Sequence, residues 1–444
     1  MKGYQFEDTQ GTFHLKKAEN ISYLYFPIAG EAGLKSSLTP NLGGDAKIDQ
    51  NTFLLEPVSA ENLVNNRNSR NFWCNVKGIG SWSLTGNAAE ALSKKFTEMQ
   101  DDSEVTAGFM WQKTTRESKK YQLRGEILSF IPVEKNVEVM LVTITNTGRM
   151  AQTVTATAAI PLYGRSADNI RDHRHVTSLL HRIETTDTGV LVTPTLSFDE
   201  RGHQVNHMTY YCVGWSGNGE KPVDFYPTAE DFVGEGGNFE RPYAIVKKAE
   251  GVKAGTRIEG LEAVGGLHFS EVTLEPEEEC SYLIFTGITE DIQEIRNLSK
   301  TYTTREMVLE ELEKTKAYWQ EKVNVAYHTG DSDFNQFMHW VSFQPILRRI
   351  YGCSFLPHHD YGKGGRGWRD LWQDCLALLI MNPDGVRQML LDNFAGVRVD
   401  GSNATIIGSK QGEFVADRNN ITRVWMDHGV WPMITTKFYI DQTG

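Results

Sequence analysis

Val137-Glu-Val-Met-Leu-Val-Thr-Ile-Thr145 runs into Asn146-Thr147-Gly148, and Thr153-Val-Thr-Ala-Thr-Ala-Ala159 follows. β-Branched residues dominate both runs, as suits a pleated and buried surface, and the glycine-containing turn between them predicts a hairpin. Comparable short stretches recur through the first part of the chain: ISYLYFPIAG from Ile21, TGVLVTP from Thr188, HMTYYCVGW from His207 and CSYLIFTGI from Cys280. Turn residues separate them, and no long helical period intervenes. Many antiparallel strands spread over roughly 300 residues predict two packed sheets rather than a parallel α/β fold. The first expectation is therefore an antiparallel β-sandwich over residues 1–300.

The periodicity becomes helical from Thr301 onward. Thr303 and Glu306 have capping-box spacing, and Leu309, Leu312 and Trp319 recur at helical intervals, which predicts a helical linker over 301–325. Asp331 is placed to cap a second helix through Phe334, Met338 and Val341, with Pro345 expected to bend or end it. Further helices are expected over Leu371–Met381, Val386–Phe394 and Arg423–Ile440, so residues 326–444 read as a helical domain. A chain of 444 residues also exceeds the size at which a single core stops growing, about 250–300 residues.

Composition narrows the function classes. The 40% hydrophobic and 23% charged content is that of an ordinary globular protein. A net charge of −12 disfavours nucleic acid and anionic membranes as partners, and requires a local basic pocket for any anionic substrate. Cys74, Cys212, Cys280, Cys353 and Cys375 are odd in number and contain no CxxC pair, which suits a reducing cytoplasm. The polar N-terminal stretch and the absence of an apolar run near ~18 residues give no membrane segment, so the expected localisation is cytoplasmic.

Two segments concentrate the chemistry. Tyr361-Gly-Lys363-Gly-Gly-Arg366-Gly-Trp-Arg369-Asp370-Leu-Trp-Gln-Asp374 combines glycines, cations, tryptophans and carboxylates ahead of a helix. Arg and Asp can form directional hydrogen bonds to vicinal hydroxyls, Trp offers a face to the C–H side of a sugar ring, and cations suit an anion. The plainer alternative is a helix-entry ion pair between Arg369 and Asp370 with core tryptophans. A nucleotide loop is rejected, because GxxxxGK[ST] is absent. In Arg423-Val-Trp425-Met-Asp427-His428-Gly-Val-Trp431-Pro-Met, one acid lies among large apolar groups, which would raise its pKa and suit it for general-acid work. The alternative is that Asp427 only caps the following helix. His358-His359-Asp360 lacks metal-ligand spacing, and no metal site is expected.

With these residues in hand, the order of sandwich, linker helix, GWRDLWQD and WMD resembles glycoside hydrolase family 94, the inverting disaccharide and oligosaccharide phosphorylases. The segments YLYFPIAGEAGLKSSLTPNLGGDAKIDQNTFLLEPVS, from Tyr23, and RDHRHVTSLLHRI, from Arg171, look more narrowly like the 1,2-β-oligoglucan phosphorylases of that family. The resemblance implies that residues 326–444 form the first part of an (α/α)6 barrel. It implies that Asp427 is the general acid, that Trp425 sits beside the donor sugar, and that Arg369 and Asp370 hold sugar hydroxyls. An Arg that family members carry several residues earlier has Lys363 and Arg366 as its counterparts here, in a differently spaced glycine stretch. A homodimer is a further implication.

The implied reaction is phosphorolysis of β-glucosidic bonds, with inorganic phosphate as co-substrate and no cofactor. A single acid suffices, because phosphate is already an anionic nucleophile. An inverting hydrolase would need a second carboxylate ~6.5–9.5 Å away to activate water. The same resemblance places the family's phosphate-binding loop beyond Gly444, so the chain is expected to require a further barrel portion for turnover. The alternatives are an inverting β-glucan hydrolase and a non-catalytic carbohydrate-binding or assembly module.

Overall fold

The computed structural model describes residues 3–21, 24–59, 66–199, 202–352, 365–408, 414–415 and 427–444. Two compact units emerge. The sandwich unit comprises Met1–Gln5 and Phe13–Lys316, and the helical unit comprises Phe6–Thr12 and Ala317–Gly444. The fold is thus a multidomain β plus α architecture, an antiparallel β-sandwich leading into helices.

In the sandwich unit a long antiparallel sheet runs in the order Phe13–Lys16, Asp102–Gly108, Trp111–Ser118, Leu123–Phe130, Val137–Asn146, Glu279–Thr289, Thr209–Ser216, Gly189–Val192, Arg182–Thr185 and Arg257–Glu259. A second sheet is ordered Asp224–Thr228, Ala263–His268, Gln152–Leu162, Asn71–Val76 and Gly80–Ser83, with Val272–Leu274 also paired to Gln152–Leu162. The hairpin expected around Gly148 does not form. Val137–Asn146 pairs with Leu123–Phe130 and Glu279–Thr289, whereas Gln152–Leu162 lies in the other sheet. The turn is a passage between sheets. Asn146 shapes it by accepting from the Gly148 N–H at 2.9 Å and donating to the Met150 carbonyl at 2.9 Å.

Both faces of the long sheet's centre are covered, which explains why every residue of Val137–Asn146 is buried and why the run lacks an apolar/polar alternation. Helix α1 (Ile292–Thr301) and the first turns of α2 (Arg305–Lys322) cover one face. There Ile295, Leu298, Val308 and Leu312 pack with Val139, Leu141, Val213, Leu283 and Phe285. Trp215 and Phe285 stack with centroids 4.9 Å apart, and the Trp215 indole donates to the Tyr302 carbonyl at 2.9 Å. The second sheet lies on the opposite face, where Tyr282 meets Phe72 at 5.7 Å and Phe269 at 4.7 Å between centroids. Gly265 permits this approach, since a Cβ there would come within 2.2 Å of the Cys212 Cβ. On the same face Glu138 is buried, and the Arg70 guanidinium forks onto it at 2.7 and 2.9 Å.

The helical unit contains the rest of α2 and helices α3 (Ser332–Tyr351), α4 (Trp368–Met381), α5 (Val386–Phe394) and α6 (Val430–Thr443). Asp331 caps α3 by accepting from the Phe334 N–H at 3.1 Å. Pro345 does not end that helix, which continues six residues further to Tyr351. Pro345 is buried within the helix, where it removes only a single amide hydrogen bond. Helix α4 starts three residues earlier than Leu371, so Trp368, Arg369 and Asp370 form its first turn. At the last helix residues 427–429 form a turn and the helical bonding begins at Val430, later than the expected Arg423.

Candidate active site

The start of α4 and the turn before α6 meet around Trp368. Its indole N–H donates to the His428 carbonyl at 3.0 Å, and its backbone N–H donates to the Thr405 carbonyl at 2.9 Å. Trp368 and Trp372 are both buried and pack edge to face with centroids 5.5 Å apart, and Trp372 meets Phe394 at 5.0 Å. Thr435 of α6 donates to the Trp372 carbonyl at 3.2 Å. These tryptophans are core, as the plainer reading had it. They fix α4 against α6 so that the polar residues flanking them converge.

Asp427 stands at that convergence. Its Oδ2 accepts from Arg369 Nη1 at 3.1 Å and from the Trp431 indole N–H at 3.1 Å. Among the described residues Oδ1 has no partner, and 40% of the side chain is exposed. The Asp427 carbonyl also accepts from the Val430 and Trp431 N–H groups at 3.1 and 3.3 Å, so the turn is tied to the helix start. The Trp431 indole, against a smaller opposing effect of desolvation and with Arg369 adding to it, holds the Asp427 carboxyl below the ordinary carboxylate range. This is the opposite of the rise expected from apolar surroundings. Donors aimed at the ionised form outweigh burial at a carboxyl this open.

Arg369 therefore pairs with Asp427, not with its chain neighbour Asp370. Asp370 is exposed in the first turn of α4 and folds back over Gly367, where an added Cβ would lie 2.6 Å from its Oδ2. His428 beside them is buried, its ring Nδ1 lies 3.0 Å from the Asn403 side-chain nitrogen, and burial lowers its pKa. Arg366 is half-buried in a small sheet of Arg366–Gly367, Ile406–Ile407 and Phe414–Val415. Burial lowers its pKa, against smaller opposing effects of Cys375, Asp374 and Asp392. Lys363, Trp425 and His358–Asp360 lie outside the described residues.

Two partners escaped the sequence. Trp431 is four residues beyond Asp427, a spacing that gives contact only because the helix begins between them. Arg348, in the last turn of α3, sends Nε to both oxygens of Asp374 at 3.0 and 2.8 Å, and a second guanidinium nitrogen to Oδ1. Asp374 is buried, and that burial lifts its pKa even against Arg348. Nothing in the local sequence of α3 marks Arg348 for this role. In the sandwich unit the two distinctive segments meet, since Arg174 pairs with Glu56 and, at 2.7 Å, with Glu262.

Comparison with known proteins bears on the sandwich. A family model described as "Glycosyl hydrolase 94, supersandwich domain" matches residues 58–305. The "Cyclic beta-(1,2)-glucan synthase NdvB" of Rhizobium meliloti (strain 1021) is 26% identical over 234 residues, covering 49% of this chain and 8% of that protein. The chain thus spans less than a tenth of that relative's length. A bacterial glucoamylase complexed with acarbose aligns with a TM-score of 0.48 at 10% identity, covering 94% of this chain and 55% of its own. A family GH92 alpha-mannosidase from Bacteroides thetaiotaomicron aligns at 0.41 and 10% identity, over 93% of this chain and 53% of its own. The match over the sandwich covers more than half of the residues, and the chain belongs to glycoside hydrolase family 94.

Proposed function

We propose that this chain carries the acid-bearing part of an inverting phosphorylase that cleaves β-glucosidic bonds, with β-1,2-glucooligosaccharides as substrate and α-glucose 1-phosphate as product. The observation behind this reading is the asymmetry of Asp427: one oxygen anchored by Arg369 and Trp431, the other open. Family membership supports glucan processing, and the β-1,2 linkage is taken from the relative's name.

In this reading Asp427 gives its proton to the glycosidic oxygen while phosphate attacks the anomeric carbon from the opposite face. The C–O bond to the leaving sugar breaks as the bond to phosphate oxygen forms, and configuration inverts. The arrangement that keeps Asp427 ionised must change when sugar binds. Arg369 transfers its hydrogen bonds to sugar hydroxyls, and the sugar excludes water from the carboxyl. Both changes raise its pKa toward that of an acid able to protonate. Asp370 would hold sugar hydroxyls as well, Trp425 would flank the donor sugar, and Lys363 and Arg366 would supply cations toward phosphate. The protein is read as cytoplasmic, and a homodimer remains part of the proposal.

Phosphate dependence separates this reaction from hydrolysis. Joined to a family-type C-terminal half and incubated with β-1,2-glucooligosaccharides, the chain should release α-glucose 1-phosphate only when phosphate is supplied. Release of free glucose at the same rate without phosphate would favour the hydrolase instead.

A further inference from the structure

The helical unit holds a cavity of about 630 Å³ where residues 9–10 meet the end of α2, the segment 323–328 and the start of α3. That volume falls within the 300–1,000 Å³ typical of small-molecule sites. None of its lining side chains is Asp, Glu, Lys or Arg. The polar lining consists instead of amides, hydroxyls and imidazoles, among them Gln320, Asn324, His328, Asn335, Gln336 and His339.

Part of this set is locked in place. Gln320 donates to the Gln10 carbonyl at 2.8 Å, and its side-chain oxygen lies 3.0 Å from His339 Nε2. Gln336, only 8% exposed, accepts from the Gly11 N–H at 3.0 Å, and its amide nitrogen has no partner among the described residues. Asn335 accepts from Thr329 at 3.0 and 2.7 Å. Burial lowers the His339 pKa, so its imidazole is neutral near pH 7. Asn324 and His328 form no hydrogen bond among the described residues and stand available to a ligand.

We infer that this cavity is a binding site for a neutral saccharide, separate from the site at Asp427. A charged ligand would leave water without a countercharge, whereas vicinal hydroxyls both donate and accept, as amides and imidazoles do. The locked amides present these groups without further ordering, which lowers the entropy cost of binding. Neither Asp427 nor its partners Arg369 and Trp431 line the cavity, so the two sites are distinct. The inference stands on the cavity's own chemistry and does not depend on phosphorolysis.

Isothermal titration calorimetry tests it with the full chain carrying Arg369→Ala and Asp427→Asn, which removes the contribution of the Asp427 site. The probes are β-1,2-, β-1,4- and α-1,4-linked glucose disaccharides, with glucose 1-phosphate as the anionic control. At least one disaccharide should bind at a stoichiometry of one, and more tightly than glucose 1-phosphate. Adding Asn324→Ala and His328→Ala, which remove no internal hydrogen bond, should weaken that binding at least tenfold while circular dichroism stays unchanged. Absence of disaccharide binding, binding indifferent to these two substitutions, or preference for glucose 1-phosphate would overturn the inference. Because the background lacks the proposed acid, failure here leaves the reaction at Asp427 untouched, and failure of phosphorolysis leaves this result standing.

Discussion

Asp427, the proposed acid, has two donors on a single oxygen, and those donors set its charge. Because its folded pKa is depressed, the ionised form favours folding above the unfolded value near ~3.9, and that contribution is lost as pH falls through the folded value. Trp431→Phe keeps the ring packing and deletes the N–H. Carboxyl carbon NMR titration should then show the Asp427 pKa rising toward the ordinary carboxylate value, and an unchanged midpoint would refute the indole's role. The sequence singles out Asp427 as a candidate acid, because it lies among tryptophans just ahead of a helix. Its ionisation was not legible there, since the direction of the shift depends on where the Trp431 N–H and the Arg369 guanidinium point, and spacing does not encode that. The Arg348–Asp374 pair was hidden for a related reason: its members sit on different helices and meet only through packing.

Individual strands and helices were more legible than their pairings. Val386–Phe394 matches its expected bounds, and Asp331 caps α3 as its spacing indicates. The error lay at Asn146-Thr147-Gly148, where the same turn chemistry serves a hairpin or a crossing between sheets. Burial on both faces removes the alternation that would have separated the two. That burial also encloses the Arg70–Glu138 pair, with each side chain 1% exposed. Arg70→Met should destabilise the sandwich by about 3–5 kcal/mol in urea unfolding, because it strands a buried carboxylate. Adding Glu138→Leu should recover much of the loss. A single substitution costing less than about 1 kcal/mol would show that the carboxylate finds water or another donor.

At the scale of the whole molecule, the two units have their own cores and their own buried thiols. Among the described residues Cys74, Cys212, Cys280 and Cys375 are free. Burial pushes the Cys280 thiol up to about 11 and the Cys375 thiol up to about 12. In a Cys353→Ser background all four should react slowly with a disulfide reagent at pH 8, since thiolate is the reactive form. With increasing urea, Cys375 of the helical unit and the three sandwich thiols should become reactive at different midpoints; a single shared midpoint would mean that the units unfold together.

The family of the sandwich is established over residues 58–305, whereas the residues proposed to act on sugar lie after it, from Lys363 to Asp427. The decisive measurement is the release of α-glucose 1-phosphate from β-1,2-glucooligosaccharides, with and without phosphate, by this chain joined to a family-type C-terminal half. The account predicts phosphate-dependent product that Asp427→Asn reduces by about 10²–10⁴-fold, the contribution of a general acid. Product that ignores Asp427→Asn, or no product from the joined protein, would contradict it.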